Sequence, residues 1–340
     1  MKKCITIISM LATCFVFADN ENYDGQDVSG KSFYSSCKNS SWIGATAVDT
    51  WFQADLTNAN FTNANLSKAR FSGTKINVTD AIFTNANLSG ANFYEVEGLT
   101  DSQLRSAADI TGIQLSQIDL TNFNLSGLDF SGGQFYGSTV SNVDFTNAIL
   151  DKVWFTGAIG LSDKQLRSAK SLVGLNIQSM DISEFDLSGL NFSSGGIVNS
   201  TSLNSNFTET DLTSVGFYGS TLNGSNFNGA NLTSVTLRKC SLVNTNLTNA
   251  NLTGATFTTE TDISGATING ADLTSTVENG FTFAHLESTK SYADKNLSGV
   301  IFDYNDIGGW NLSGLNLQNT SFFASKIAGT NFSNSDLRGA

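Results

Sequence analysis

Apolar residues recur every five positions along most of this chain. From Leu56 the series runs Leu56, Phe61, Leu66, Phe71 and Ile76, then slips by two to Val78, Phe83, Leu88 and Phe93. It runs without exception from Ile110 through Leu125, Phe130 and Phe145 to Phe155. A third run goes from Leu172 through Leu187 and Phe192 to Phe257, broken only by Ser202; after a one-residue slip it continues through Ile263, Ile268 and Leu273. The last runs from Leu297 through Leu312 and Leu317 to Leu337. A period of five fits neither the 3.6 of a helix nor the 2 of a strand, so neither element could hold these side chains on one side. A chain that turns a corner every five residues can, each circuit pairing its backbone with the one before.

The residue two before each central Leu or Phe is often alanine, as at Ala54, Ala59, Ala64, Ala86, Ala148, Ala230, Ala250 and Ala255, and must also point inward. Asn or Asp, Ser or Thr, and Asn or Gly fill the remaining letters, as corner residues facing solvent would.

The phrases ADLTN, ANFTN, ANLSK, ANLSG, ANLTG and ADLTS resemble the pentapeptide-repeat family, and the resemblance covers roughly Ala54 to Ala340. It implies an all-β fold: a right-handed quadrilateral β-helix with four pentapeptides per coil. On that expectation Leu56, Phe61, Leu66, Phe71, Leu125, Phe130, Leu187, Phe192, Leu312 and Leu317 form a core ladder over residues 49–340.

Three breaks interrupt the phrase, near 99–108, 161–170 and 282–292. Thr100 with Gln103 and Ser162 with Gln165 fit capping boxes, so short helices are expected there; His285 takes the place of Gln103 and Gln165 in the third. After each break the inner small position becomes large: Ile113, Ile118, Phe123 and Leu128; Leu175, Met180, Phe185 and Leu190; Val300, Trp310 and Leu315. These side chains should widen the coil or face the helix. Residues 19–48, with Phe33, Tyr34 and Trp42, lack the period and are expected to cap the first coil against edge pairing.

The first eighteen residues differ in kind. Lys2 and Lys3 precede a mainly apolar run from Cys4 to Phe17, and Val16-Phe17-Ala18 suits a signal peptidase, so residues 1–18 read as a signal peptide cut between Ala18 and Asp19. A lipid anchor at Cys14 is the lesser alternative, because Thr13 precedes it poorly and Phe15 to Phe17 continue the apolar run. No later segment reads as a membrane span.

Composition narrows function. Charged residues are only 14% of the chain, proline is absent, and the net charge of −12 becomes −14 once Lys2 and Lys3 leave with the signal. That balance argues against direct binding of nucleic acid or anionic membranes. After export Cys37 and Cys240 remain, 203 residues apart, and two separate thiols are expected, with Cys240 pointing inward. With one histidine, His285, no His-paired nucleophile and no His-rich metal site can be assembled, and no cofactor motif stands out. Asp109, Asp119, Asp129 and Asp144 share the letter before the central residue, where solvated carboxylates need no further explanation.

The expectation is therefore a non-enzymatic exported solenoid, periplasmic or extracellular, serving as a scaffold or protein-interaction surface with an unknown protein partner. A homodimer through the C-terminal coil is a further expectation. The alternative is a DNA-mimicking, topoisomerase-binding protein, as the resemblance allows. Asn at positions 60, 65, 206, 226, 231 and 251, where a mimic would want carboxylates, weighs against it.

Overall fold

A computed structural model describes the backbone at residues 14–15 and the chain at 19–34, 36–73 and 76–340. The chain divides into two compact units, 1–118 and 119–340. Each is a parallel β-helix whose successive circuits pair backbone to backbone.

In the first unit, strands β1 (Cys14–Phe15), β2 (Ser32–Phe33), β3 (Trp51–Phe52), β4 (Arg70–Phe71), β5 (Asn92–Tyr94) and β6 (Gln114–Ser116) form one parallel sheet in chain order. Ser32 pairs with Trp51 and Trp51 with Arg70, so each early circuit takes nineteen residues. Arg70 pairs with Asn92 and Asn92 with Gln114, and these circuits take twenty-two.

The short early circuits correct one expectation. Residues 19–48 were expected as a cap without the period; they are laid down as coils, with Asn22 bridged to Ser41 and Ser41 to Asn60. Their inward residues are Tyr23, Val28, Phe33, Cys37, Trp42, Ala47 and Phe52, all buried, and then Leu56. Three sides of each circuit have five residues and the fourth has four, between Phe33 and Cys37 and between Phe52 and Leu56. One missing residue per circuit moves the count off any fixed period, although the fold is the same.

The inward rings stack into two columns. Phe33, Phe52, Phe71 and Phe93 follow one another at 5.5, 5.1 and 4.5 Å between centroids. Tyr23, Trp42, Phe61 and Phe83 follow at 3.9, 5.6 and 5.4 Å. The columns meet edge to face, as between Phe52 and Phe61, the arrangement that the ring quadrupole favours.

In the second unit the circuit is twenty residues, hence four sides of five: Asp181, Thr201, Thr221 and Ser241 bridge in succession. Strands β7 (Trp154–Thr156), β8 (Asn176–Gln178) and β9 (Gly196–Val198) form its named sheet. The circuits lengthen where helices are let in. Helix α1 (Asp101–Ser106) lies in the first unit, and α2 (Asp163–Ser168), α3 (Phe283–Ser288) and α4 (Lys290–Ala293) lie in the second. A single 3-10 turn, Val277–Asn279, precedes α3.

The outer letters make the corners. Asp55 Oδ1 accepts the Thr57 N–H at 3.0 Å, and Asn60 Oδ1 accepts that of Thr62 at 3.0 Å; the same bond recurs around both units. Because only an acceptor oxygen two residues back is needed, Asp and Asn interchange freely at this letter. The next corner residue is left-handed, with φ of 59° at Asn58, 60° at Asn63 and 57° at Lys68, which explains the Asn and Gly found there.

Candidate functional site

Outward faces and helix–coil junctions are the places where this fold could do chemistry, because the interior is filled. The ladder residues Leu56, Phe61, Leu66, Phe71, Leu125, Phe130, Leu187, Phe192, Leu312 and Leu317 are all at 1% exposure or less. Ala54, Ala59, Ala64, Ala86, Ala148, Ala230, Ala250 and Ala255 are buried beside them. Ser202 sits fully buried in the ladder with its hydroxyl unpartnered. Ala18 lies outside the described residues. Asp19 stands on the first coil, where its Oδ1 accepts from the Ser36 hydroxyl and from the Lys38 N–H at 3.1 Å.

The three junctions share one construction. Gln103 Oε1 accepts the Thr100 N–H at 2.7 Å while its Nε2 donates to Val78 O at 2.8 Å and Ala81 O at 2.9 Å. Gln165 repeats this with Ser162, Val140 and Val143. The buried amide thus caps the helix and fastens it to the preceding circuit with one side chain. His285 does the same as an imidazole: Nδ1 accepts the Thr282 N–H at 3.0 Å, so Nε2 carries the proton and faces Thr258 O at 3.2 Å. Burial pushes its pKa below the ordinary value, against the opposing pull of the Thr258 and Thr261 backbone and Asp262. A cleft of about 390 Å³ opens beside it, lined by Glu260, Asp262, Thr282 and Ser288 among others.

The large residues after the breaks divide by position. Ile113, Ile118, Leu175, Met180, Val300, Trp310 and Leu315 are buried, whereas Phe123, Leu128, Phe185 and Leu190 are half-buried. Helix α2 lies over the corner between the last two: Arg167 Nη1 donates to Ser188 O at 2.9 Å, and the Asp186 N–H reaches Asp163 Oδ2 at 3.3 Å. Trp310 faces its helix, with the Phe283 ring centroid 5.7 Å away.

The carboxylates of one letter do not converge. Asp119, Asp129 and Asp144 pair with Thr139, Ile149 and Asn124 on separate ladders of the second unit. Each serves its own turn; the Thr121 hydroxyl, helped by the Thr121 N–H, holds the Asp119 carboxyl below its ordinary pKa. In the first unit Asp109 Oδ1 accepts the Thr111 N–H at 2.9 Å. Among the described residues no group of three or more His, Cys, Asp or Glu side chains is placed to hold a metal. Cys37 and Cys240 are both buried thiols, pushed up to about 12 and about 11 by burial.

Two surface features had no signal in the repeat count. On three successive sides of one circuit of the second unit the letter that elsewhere is mostly polar holds Ile149, Trp154 and Ile159, and the last two are 41% and 61% exposed. In the first unit a groove of about 410 Å³ is lined by Asp49, Lys68, Arg70, Gly90, Asn92 and Gln114. Its residues are nineteen to twenty-two apart along the chain, so only the coil lengths bring them together.

Fold and corners together define a parallel β-helix built of five-residue units. Family models described as pentapeptide repeats match residues 56–97 in one form and 108–147, 124–159, 203–229, 230–258 and 306–339 in another, together more than half of the chain. The chain belongs to the pentapeptide-repeat family.

No curated protein matches it. Among solved structures it is similar to a pentapeptide repeat protein of the Arabidopsis thaliana thylakoid lumen, at 31% identity over 29% of this chain and 68% of that one, with a TM-score of 0.29. HetL, involved in heterocyst differentiation regulation in the cyanobacterium Nostoc, is 17% identical over 70% of this chain and 94% of its own, with a TM-score of 0.26. QnrB1, a plasmid-mediated fluoroquinolone resistance protein, is 16% identical over 66% and 90%, with a TM-score of 0.21.

Proposed function

We propose that this chain is a non-enzymatic exported solenoid acting as a scaffold or protein-interaction surface in the periplasm, the envelope or outside the cell. The observation that carries the interaction role is the exposed aromatic pair Tyr304 and Phe323 of the second unit, 56% and 65% exposed, with ring centroids 5.7 Å apart. Polar corner residues would be the default at both positions, and adjoining large apolar side chains exposed on a rigid coil mark a contact surface.

Export rests on the basic and apolar opening of the sequence, and on the anchoring of the coil from Asp19 onward. Cleavage after Ala18 removes β1 and leaves β2 as the sheet edge. In the same reading a second copy pairs with residues 321–340, whose Ile327 and Leu337 are exposed.

The test is the mass of the chain's N-terminus together with its fraction of origin. A chain beginning at Asp19 outside the cytoplasm supports the proposal. An intact Met1 on cytoplasmic protein that alters topoisomerase activity supports the DNA-mimic alternative and ends this one.

A further inference from the structure

We propose that the groove on the first unit binds an acidic saccharide. Its floor is a run of outward ladder residues, Arg70 on β4, Asn92 on β5 and Gln114 on β6, directly paired from strand to strand. Phe71, Phe93 and Leu115, the next residues on those strands, point inward, so strand alternation sends the floor residues to the surface. The neighbouring corner column holds Asp49, Lys68, Gly90 and Gly112, all left-handed, each N–H tied to the circuit above at the first three. Where Asp and Lys give way to glycine the wall is missing, and that gap is the groove.

Three observations specify the occupant. The first is an unmet need: the Asn92 side-chain oxygen is buried and meets no protein donor. A buried acceptor left bare is costly in a native structure and points to a ligand or water hydrogen. The second is charge. Asp49 accepts from Arg70 Nη2 at 2.7 Å, and Lys68 makes no ion pair among the described residues, so the groove keeps a surplus positive charge on a chain of net charge −12. That surplus favours a carboxylate.

The third is shape and spacing. Hydroxyl groups both donate and accept, as Asn92 beside Lys68 and Gln114 requires. Floor residues recur about every 4.8 Å, as paired strands do, comparable to the advance of one pyranose ring along a β-linked chain. At the other end of β5 Tyr94 is exposed, offering a ring face to sugar C–H groups. An acidic peptide meets the charge but brings no regular row of hydroxyls.

The inference does not depend on export, and the full chain serves for its test. Calorimetric titration uses a β-linked oligomannuronate, a neutral cello-oligosaccharide of equal length, and polyglutamate. The uronate is expected to bind saturably and more tightly than either control. Lys68→Gln is expected to weaken it about tenfold or more. Gly90→Asn is expected to block the groove at an unchanged melting temperature, since Asn already holds this backbone conformation at Asn58 and Asn63. Uronate binding unchanged in both variants, polyglutamate binding as tightly as the uronate, or no binding by the uronate each overturns the proposal.

Discussion

His285 accepts the backbone N–H of Thr282 on Nδ1 at 3.0 Å, which fixes the neutral imidazole with its proton on Nε2. Protonating the ring turns that acceptor into a donor and breaks the cap of α3. The folded-state pKa is depressed, with burial the main cause, so the contribution of this histidine is complete above the unfolded value of 6.5 and is lost as pH falls through the folded pKa. The melting temperature should decline below about pH 6.5 more steeply in the wild type than in His285→Gln. Glutamine makes the equivalent bonds at Gln103 and Gln165 and does not titrate in this range. Parallel melting curves across that range would show that the imidazole is not held as described.

The buried amides carry more than their caps. Gln165→Ala removes the acceptor for the Ser162 N–H and the donor to Val140 O and Val143 O. Each buried group left bare costs about 1–3 kcal/mol, whereas loss of an N-cap hydroxyl costs about 1 kcal/mol. Urea unfolding should therefore find Gln165→Ala more destabilising than Ser162→Ala, by roughly 1–3 kcal/mol. Equal losses would mean that the helix is not fastened through this side chain.

The ring columns should behave as a one-dimensional stack. Phe71→Ala opens a cavity between Phe52 and Phe93, at a cost of about 3–5 kcal/mol. Repeat folds couple mainly to nearest neighbours, so hydrogen exchange should accelerate first at Phe52 and Phe93 and their circuits. Uniform acceleration throughout the first unit would contradict the stack.

Ser202 is the one polar residue in its run of the ladder, fully buried with a bare hydroxyl. Ser202→Ala deletes that unsatisfied group while leaving the Ser202 N–H to Thr221 O bond at 2.8 Å intact. The melting temperature should rise, by the equivalent of about 1 kcal/mol or more. A fall would show that the hydroxyl has a partner such as ordered water.

Much of this architecture is legible in the sequence. From Leu56 onward a buried Leu or Phe at every fifth position, with Asx turns at the corners, names the coil directly, and the pairs Thr100–Gln103 and Ser162–Gln165 read as capping boxes. The coils of residues 19–48 were not legible, because a four-residue side at Cys37 and Leu56 shifts the register once per circuit. Lys68, Gly90 and Asn92 were equally silent. A groove made by absent side chains shows only when circuit length sets which residues are neighbours, and Ile149, Trp154 and Ile159 satisfy the same five-residue count as any polar residue.

The most direct measurement for the central claim is the intact mass of the chain's N-terminus after fractionation of the cells that make it. The account predicts a chain starting at Asp19, found outside the cytoplasm. A chain retaining Met1 and Lys2 in the cytoplasm would contradict it.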